Sequence, residues 1–558
     1  MTALVAALYS IFELGQQSHF LTSAFDLGIF DQAVHGYAHL GAPVSLIKGV
    51  HDGFGTHFSV LGDHFSPILA VLAPVYRVFP HAQTLLVAQG VLFAASVPSV
   101  WLFTRRSLGR GAAYPIAIGY ALAWGFQSAM ADDFHEIAFA VPLIAFALER
   151  LDAGKLRPAI ISALLLLLVK EDLGLIVAAF GVVVGVRTTR WRLGGVLVLA
   201  GIVAAVLSTE VFIPAAGGRA GYYWNYYIAL GSGPLAALWH VVRHPLSTLH
   251  LATHPAQKVR LLQWLFLPLG LASLGSSFVL LAIPQLAELL LSDNPYHWQL
   301  DSHYIAILVP ILTLAAVDGV AKLRRRTERL VPAGRPIWAR VAGSALGLAY
   351  AGGVLAVAIW ALAQMPFHEM TQHWWWHTNA YQSAERAAVD VVPSGATVEA
   401  SDHLAPQLTD RARVMLLDAT PREAPWVVFD ADAADWPLTS AEQLARPGWQ
   451  LVQRRLRFDH DLRLSEPVAS LRAIAWRRVQ LPGLLPGRSV LILCPQLPGC
   501  AAERVPGIRR RGARLAEHPQ PRARGLHVAY RQVQIVDLQR QIDVCVVQHF
   551  DATFADQS

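Results

Sequence analysis

Apolar residues run in long blocks through the first 363 positions, separated by short polar or charged stretches. About 20 apolar residues are needed to cross the hydrocarbon core as a helix. On that measure the chain offers about eleven candidate helices. The first covers Met1 to Phe12, and the next six lie near 82–103, 113–130, 137–148, 158–169, 173–186 and 193–213. Four more lie near 259–274, 276–291, 304–320 and 341–363. Several fall short of a full span, which predicts broken or half-depth helices lining a cavity. The first run is also short and lacks the basic flank of a signal peptide, so the expectation is a natural start further upstream.

Basic residues order these segments. Arg105/Arg106/Arg110, Arg150/Lys155/Arg157, Arg187/Arg190/Arg192 and the run from Lys322 to Arg329 each follow an even number of crossings. With the N-terminus inside, all four land in the cytoplasm, as positive loops do. The loops at 13–81, 131–136, 170–172, 214–258 and 292–303, and the chain after about 364, then lie outside. From Tyr381 to about Arg477 the pattern becomes that of a soluble domain, with a Pro393-Ser-Gly turn leading into alternating residues and further strand candidates at Val427–Phe429 and Leu451–Val452. After Leu481 the chain is rich in Pro, Gly and Arg without periodicity, which reads as a disordered or aberrant tail. The expected fold class is therefore an all-α polytopic membrane bundle (1–363) with a small extracytoplasmic α/β domain (364–480) and a tail (481–558).

Composition agrees. The 558 residues are 54% hydrophobic and only 15% charged, where a soluble domain carries roughly a quarter charged residues. The net charge of +6 sits in the runs that set topology, so no nucleic-acid-binding face is indicated and the bilayer lipids are the first partner. All three cysteines lie in the last stretch, from Cys494 to Cys545, which leaves the membrane part without a disulfide or thiol ligand.

Acidic and histidine residues gather in the loops assigned to the outside. Asp26 and Asp31 flank Gly28 in the first loop, and Asp63-His64 closes it. Five positions on a regular helix are about 140° of rotation, so Asp26 and Asp31 need a break at Gly28 to face one ligand; either could instead be a solvated or capping residue. Asp132, His135 and Glu136 are spaced to share one helix face, where they could hold a divalent cation such as Mg or Mn, or form a salt-bridged cap. Lys170-Glu171-Asp172 interrupts two apolar runs, where charge is costly without a partner. Lys170 could neutralise a phosphate with Glu171 orienting it, or the three could form a structural ion network. Asp301, His303 and Tyr304 enter the next helix as further substrate-binding candidates, whereas His373-Trp-Trp-Trp-His377 reads as an aromatic belt.

These motifs together resemble a known family. Phe25-Asp-Leu-Gly-Ile-Phe-Asp-Gln, Gly62-Asp-His-Phe-Ser-Pro, Phe134-His-Glu, Val169-Lys-Glu-Asp and His303-Tyr, followed by Val392-Pro-Ser-Gly-Ala-Thr-Val and Ser401-Asp-His-Leu-Ala-Pro-Gln-Leu-Thr-Asp-Arg411, look like the bacterial membrane proteins of domain of unknown function 2079. That family in turn resembles the C-type glycosyltransferases, which use polyprenyl-phosphate sugars and carry an acidic residue in the loop after the first helix. The resemblance implies a multi-pass protein of the bacterial plasma membrane with a polyprenyl-phosphate sugar lipid as partner. Asp26 matches the catalytic position, and Asp63 is the next candidate. The short first helix departs from the pattern. A transporter or flippase of a polar or lipid-linked substrate, and a non-catalytic membrane protein, are the alternatives; no inverted repeat is visible in the hydropathy pattern. Oligomeric state is not legible.

Overall fold

The computed structural model describes residues 1–330, 336–420, 422, 424–430, 436–438, 473–479, 490–493 and 546–549. Two compact units meet between His377 and Thr378. In the first, the main helices are α1 (Thr2–Ser18), α2 (Ile29–Ala38), α3 (Gln83–Ser107), α4 (Arg110–Ala121), α5 (Trp124–Ala131), α6 (Ala140–Asp152), α7 (Leu156–Leu165) and α8 (Leu173–Thr188). They continue with α9 (Trp191–Leu207), α10 (Pro234–Arg243), α11 (Pro245–Thr253), α12 (Ala256–Phe266), α13 (Ala282–Leu291), α14 (Leu308–Leu330) and α15 (Pro336–Leu362).

Each of the eleven apolar runs falls on a helix or on helical turns. Among the described residues, four segments are long and apolar enough to cross a membrane alone: Gln83–Ser107, Trp191–Ala215, His303–Arg329 and Gly343–Leu362. The run near 113–130 is broken between α4 and α5, and the side-chain amide of Gln127 caps the freed Leu122 carbonyl at 2.8 Å. Burial ranks the long segments. Of an 18-residue apolar stretch in each, 89% is buried in His303–Arg329 and 22% in Trp191–Ala215, so α14 runs through the core and α9 keeps its apolar side chains for lipid. What fastens α9 is a glycine seam with α8. A methyl group on Gly201 would sit 2.3 Å from the Gly174 carbonyl, and one on Gly181 would sit 2.6 Å from the Gly194 carbonyl. Only glycine lets the backbones approach this closely.

The central segment carries opposite chemistry at its two ends. His303 begins it, while Asp318 accepts hydrogen bonds from Arg187 (2.8 Å) and Ser276 (2.6 Å) and pairs with Lys322 (2.9 Å). Fifteen residues at 1.5 Å each separate His303 from this basic cluster by roughly 22 Å.

Residues 366–376 form two 3-10 turns within the first unit rather than the start of the second. Trp375 is buried and stacks on Phe12 at 5.3 Å, and its carbonyl lies 2.8 Å from Nε2 of His19. The tryptophan run is thus partly an anchor, with Trp374 and Trp376 exposed as a belt residue would be.

In the second unit, α16 (Ala380–Asp390) starts at a capping box in which Asn379 and Gln382 satisfy each other's backbone N–H groups. β1 (Thr397–Ala400) lies between β2 (Arg413–Leu416) and β3 (Trp426–Asp430), parallel to both. β4 (Ala473–Val479), β5 (Val490–Leu493) and β6 (Val546–His549) continue the sheet antiparallel in the order β2-β1-β3-β4-β5-β6. The expected strand at Leu451–Val452 lies outside the described residues. In the segment read as a tail, the described residues are the two strands β5 and β6; the rest of that reading also lies outside them.

Candidate functional site

Ser23 starts the site. Its hydroxyl accepts the backbone N–H of Asp26 at 3.2 Å and caps a single π-turn, Ala24–Gly28, which runs directly into α2. The wide turn supplies the break expected at Gly28, but it separates the two acids. Asp31 is completely buried and accepts a hydrogen bond from Tyr76 at 2.7 Å. Asp26 keeps 37% of its side chain exposed, and its Oδ1 lies 3.1 Å from Nε2 of His135. Of the two, only Asp26 can meet a ligand.

His135 reaches Asp26 because the chain reverses after α5. Asp132 caps that helix, Asp133 adopts a left-handed φ of 66°, and His135 is extended before the 3-10 turn Glu136–Phe139. Such a φ is strained for a residue with a side chain, and three hydrogen bonds hold it. Gln89 of α3 donates from Nε2 to the Asp133 carbonyl at 2.7 Å and accepts the His135 N–H at 3.1 Å. The Ser23 N–H donates to Asp133 Oδ2 at 2.6 Å. Asp132, His135 and Glu136 therefore do not share one helix face, contrary to what their spacing predicts. Glu136 turns to Lys170 instead, with Oε1 3.8 Å from Nζ.

His303 takes the place of Glu136. Asp132 Oδ2 accepts both its backbone N–H and its ring Nδ1–H at 2.7 Å. The His303 ring stacks on His135 at 3.3 Å. One donor atom from each of Asp132, His135 and His303 lies within 4.8 Å of the other two, a spacing that suits a shared divalent cation. Burial and the Asp26 carboxylate push Asp132 up to about 7. Burial opposes charge on His135, but Asp26, Asp132 and Glu136 together outweigh it and lift the imidazole to about 9. Two imidazoles with one carboxylate form a donor set for Mn or Zn more than for Mg, which prefers oxygen ligands.

A second network surrounds Asp63. Lys48 Nζ lies 3.2 Å from Asp63 and 3.1 Å from Asp52. The Tyr223 hydroxyl donates to Asp63 Oδ1 at 2.5 Å and lies 3.2 Å from His64 Nε2. His64 Nδ1 lies 2.8 Å from Glu171 Oε1, and the Phe65 N–H donates to Glu171 Oε2 at 3.0 Å. Tyr223 has one proton, spent on Asp63, so both nitrogens of His64 must carry theirs to complete the chain. That proton count favours the imidazolium form of His64. Burial and Lys170 work against that charge, while Glu171 and Asp63 outweigh them and raise the histidine above its ordinary value. Burial alone would raise Asp63, yet Lys48 and His64 hold it below the usual carboxylate range. Asp63 is an engaged anion and a poor base.

Lys170 bridges the two networks. Beyond Glu136, its ammonium sits over the Tyr304 ring at 5.4 Å, and Tyr304 in turn contacts His303 at 4.0 Å between ring centres. Asp301 is exposed just before His303. Gln89, Lys48, Asp133 and Tyr223 were not singled out from sequence. Gln89 had a readable signal, a polar side chain inside an apolar run; Tyr223 stands in the aromatic run Tyr222–Tyr227, and Lys48 has no local signal.

The model of a family of predicted membrane proteins, DUF2079, matches residues 17–461, a stretch that contains both networks. The chain belongs to this family. Among solved structures, the DUF2079 chain is similar to ArnT from Cupriavidus metallidurans, crystallised bound to undecaprenyl phosphate. The two share 14% identity, and the match covers 78% of this chain and 96% of that one with a TM-score of 0.44. No curated protein matches the DUF2079 chain in sequence.

Proposed function

We propose that this DUF2079 protein is a membrane glycosyltransferase that moves a sugar from a polyprenyl-phosphate donor to an acceptor on the extracytoplasmic side. The observation that carries the reading is Asp26, a half-exposed carboxylate held by Ser23 and His135 beside otherwise buried charge. The resemblance of the family to C-type glycosyltransferases suggests the substrate class, and the geometry supports the following roles. The basic cluster around Asp318, at the other end of the segment that His303 begins, supports placing the site outside and the N-terminus in the cytoplasm.

In this reaction the acceptor hydroxyl attacks the anomeric carbon, the bond from that carbon to the phosphate oxygen breaks, and configuration inverts. Asp26 takes the hydroxyl proton as general base. The lipid phosphate leaves as an anion, and Lys170 stabilises the charge developing on it. His135 holds Asp26 in place, and Glu136 holds Lys170. Asp132, His135 and His303 would hold a divalent cation, which supplies additional positive charge to a phosphate when bound.

The test is transfer of labelled sugar from a polyprenyl-phosphate donor in proteoliposomes. Asp26→Asn keeps the shape and removes the base, and should lower the transfer rate roughly 100-fold or more. Wild-type transfer by Asp26→Asn removes Asp26 from the role. Movement of the lipid-linked sugar across the bilayer with no glycosidic bond formed would establish a flippase instead.

A further inference from the structure

Helices α10 and α11 are built inside out. Neither buries a single residue. On α10, Leu235, Leu238, Trp239 and Val242 follow the i, i+3, i+4, i+7 spacing of one helix face, and that face points away from the protein. They are 82%, 62%, 59% and 66% exposed. Leu246 and Leu249 extend the stripe onto α11 at 82% and 60%. The inward face of α10 carries the smaller Ala236 and Ala237 with His240. In water this arrangement would leave a continuous apolar surface uncovered.

We infer that residues 234–253 lie flat in the membrane interface, with this stripe immersed in the lipid and the polar edge at the headgroups. Three observations select a bilayer as the occupant. First, the helices have 10 and 9 residues, about 15 and 14 Å at 1.5 Å per residue, too short to cross about 30 Å of hydrocarbon. Second, α11 packs against α12 and α13. The exposed Ile283 of α13 and the exposed Leu267 just after α12 continue the apolar surface into the spanning bundle. Third, the Arg243 guanidinium lies over the Trp239 ring at 4.2 Å, a cation beside an aromatic ring at the stripe's edge, as residues anchored at the headgroup level are arranged. The element follows the aromatic turn Tyr222–Leu230 through Gly231, whose φ of 115° only glycine adopts readily. Lipid contact is thus set next to the turn that carries Tyr223. The inference stands apart from the transfer reaction.

The test uses full-length protein with Cys494, Cys500 and Cys545 replaced by serine, reconstituted in nanodiscs of phosphatidylethanolamine and phosphatidylglycerol. Nitroxide labels are placed by Leu238→Cys, Val242→Cys and Ser247→Cys, one at a time. Collision with oxygen should exceed collision with a water-soluble nickel chelate several-fold more at 238 and 242 than at 247. Leu235→Cys and Leu246→Cys provide a second pair if either label disturbs insertion. Water-like collision at the stripe positions overturns the inference. Dipolar broadening between labels at 238 on separate molecules also overturns it, by giving the face to a second copy of the chain.

Discussion

Gln89→Met tests the turn that builds the site without touching any group that would meet substrate. Methionine keeps the length and volume of glutamine in the apolar helix but cannot donate to the Asp133 carbonyl or accept from the His135 N–H. Both backbone groups are buried, and each orphaned group costs about 1–3 kcal/mol. Side-chain hydrogen bonds inside membrane bundles average nearer 0.6 kcal/mol, because the unfolded state in lipid finds other partners. The Asp133 turn has little of that escape: with its φ at 66°, the His135 N–H faces Gln89 alone among the described contacts, and the Asp133 carbonyl has besides Gln89 only the His135 ring Nδ1, at 3.4 Å. The larger figure should therefore govern, giving a loss of about 2–6 kcal/mol from the two bonds. Thr104→Val provides the control. Its hydroxyl bonds only the carbonyl one helical turn back, at 2.8 Å, and that backbone carbonyl keeps its helical partner. It should cost about 1 kcal/mol or less. Reversible unfolding in mixed micelles measures both. If Gln89→Met falls within about 0.5 kcal/mol of wild type, the turn is held by packing and the argument from hydrogen bonds is wrong.

Manganese or zinc binding should fall by about tenfold or more in Asp132→Asn and His303→Ala, while Glu136→Gln should bind as wild type does; isothermal titration of metal-stripped protein decides between the two ligand sets. His64 has its folded-state value raised above the ordinary 6.5, so its stabilising charge is fully present below about pH 6.5 and is lost as pH rises through the raised value. The stability gap between wild type and His64→Gln should accordingly be widest in that acidic range and narrow above it; a gap that widens with pH would contradict an imidazolium. In a cysteine-free background, a cysteine at the exposed Ser394 (Ser394→Cys) should react with an impermeant maleimide from outside and Thr327→Cys should not, and the reverse result would invert the topology.

The helices were legible because the apolar runs are lipid-compatible even where they are too short to span, and the polar end of each run marks where the helix stops. The site was legible only in its ingredients. Asp132, His135 and Glu136 carry helical spacing, and nothing in Asp133 announces that it will take a left-handed conformation, since non-glycine residues do so only when their surroundings impose it. The imposing groups, Gln89 and Ser23, are 44 and 110 residues away in sequence from Asp133. His303 was visible as a polar residue entering a helix, but its convergence with His135 depends on how α14 and α5 pack. Asp63 stood next to Asp26 as a candidate in sequence. Lys48 and Tyr223, each drawn in from a different segment, separate the two in structure.

The π-turn under Asp26 makes the site a matter of chain length as much as of residue identity. A π-turn holds one residue more than an α-turn over the same rise. Deleting Gly28 would let plain α-helix form there, with Asp26 and every apolar side chain of the turn kept. Each residue of α-helix turns about 100°, so a carboxylate kept in the sequence would still swing away from His135. A relative with the same acids but a loop one residue shorter would thus keep the motif and lose the contact between Asp26 and His135. Alignments of such chains should count residues from the serine cap to α2 before equating their acids.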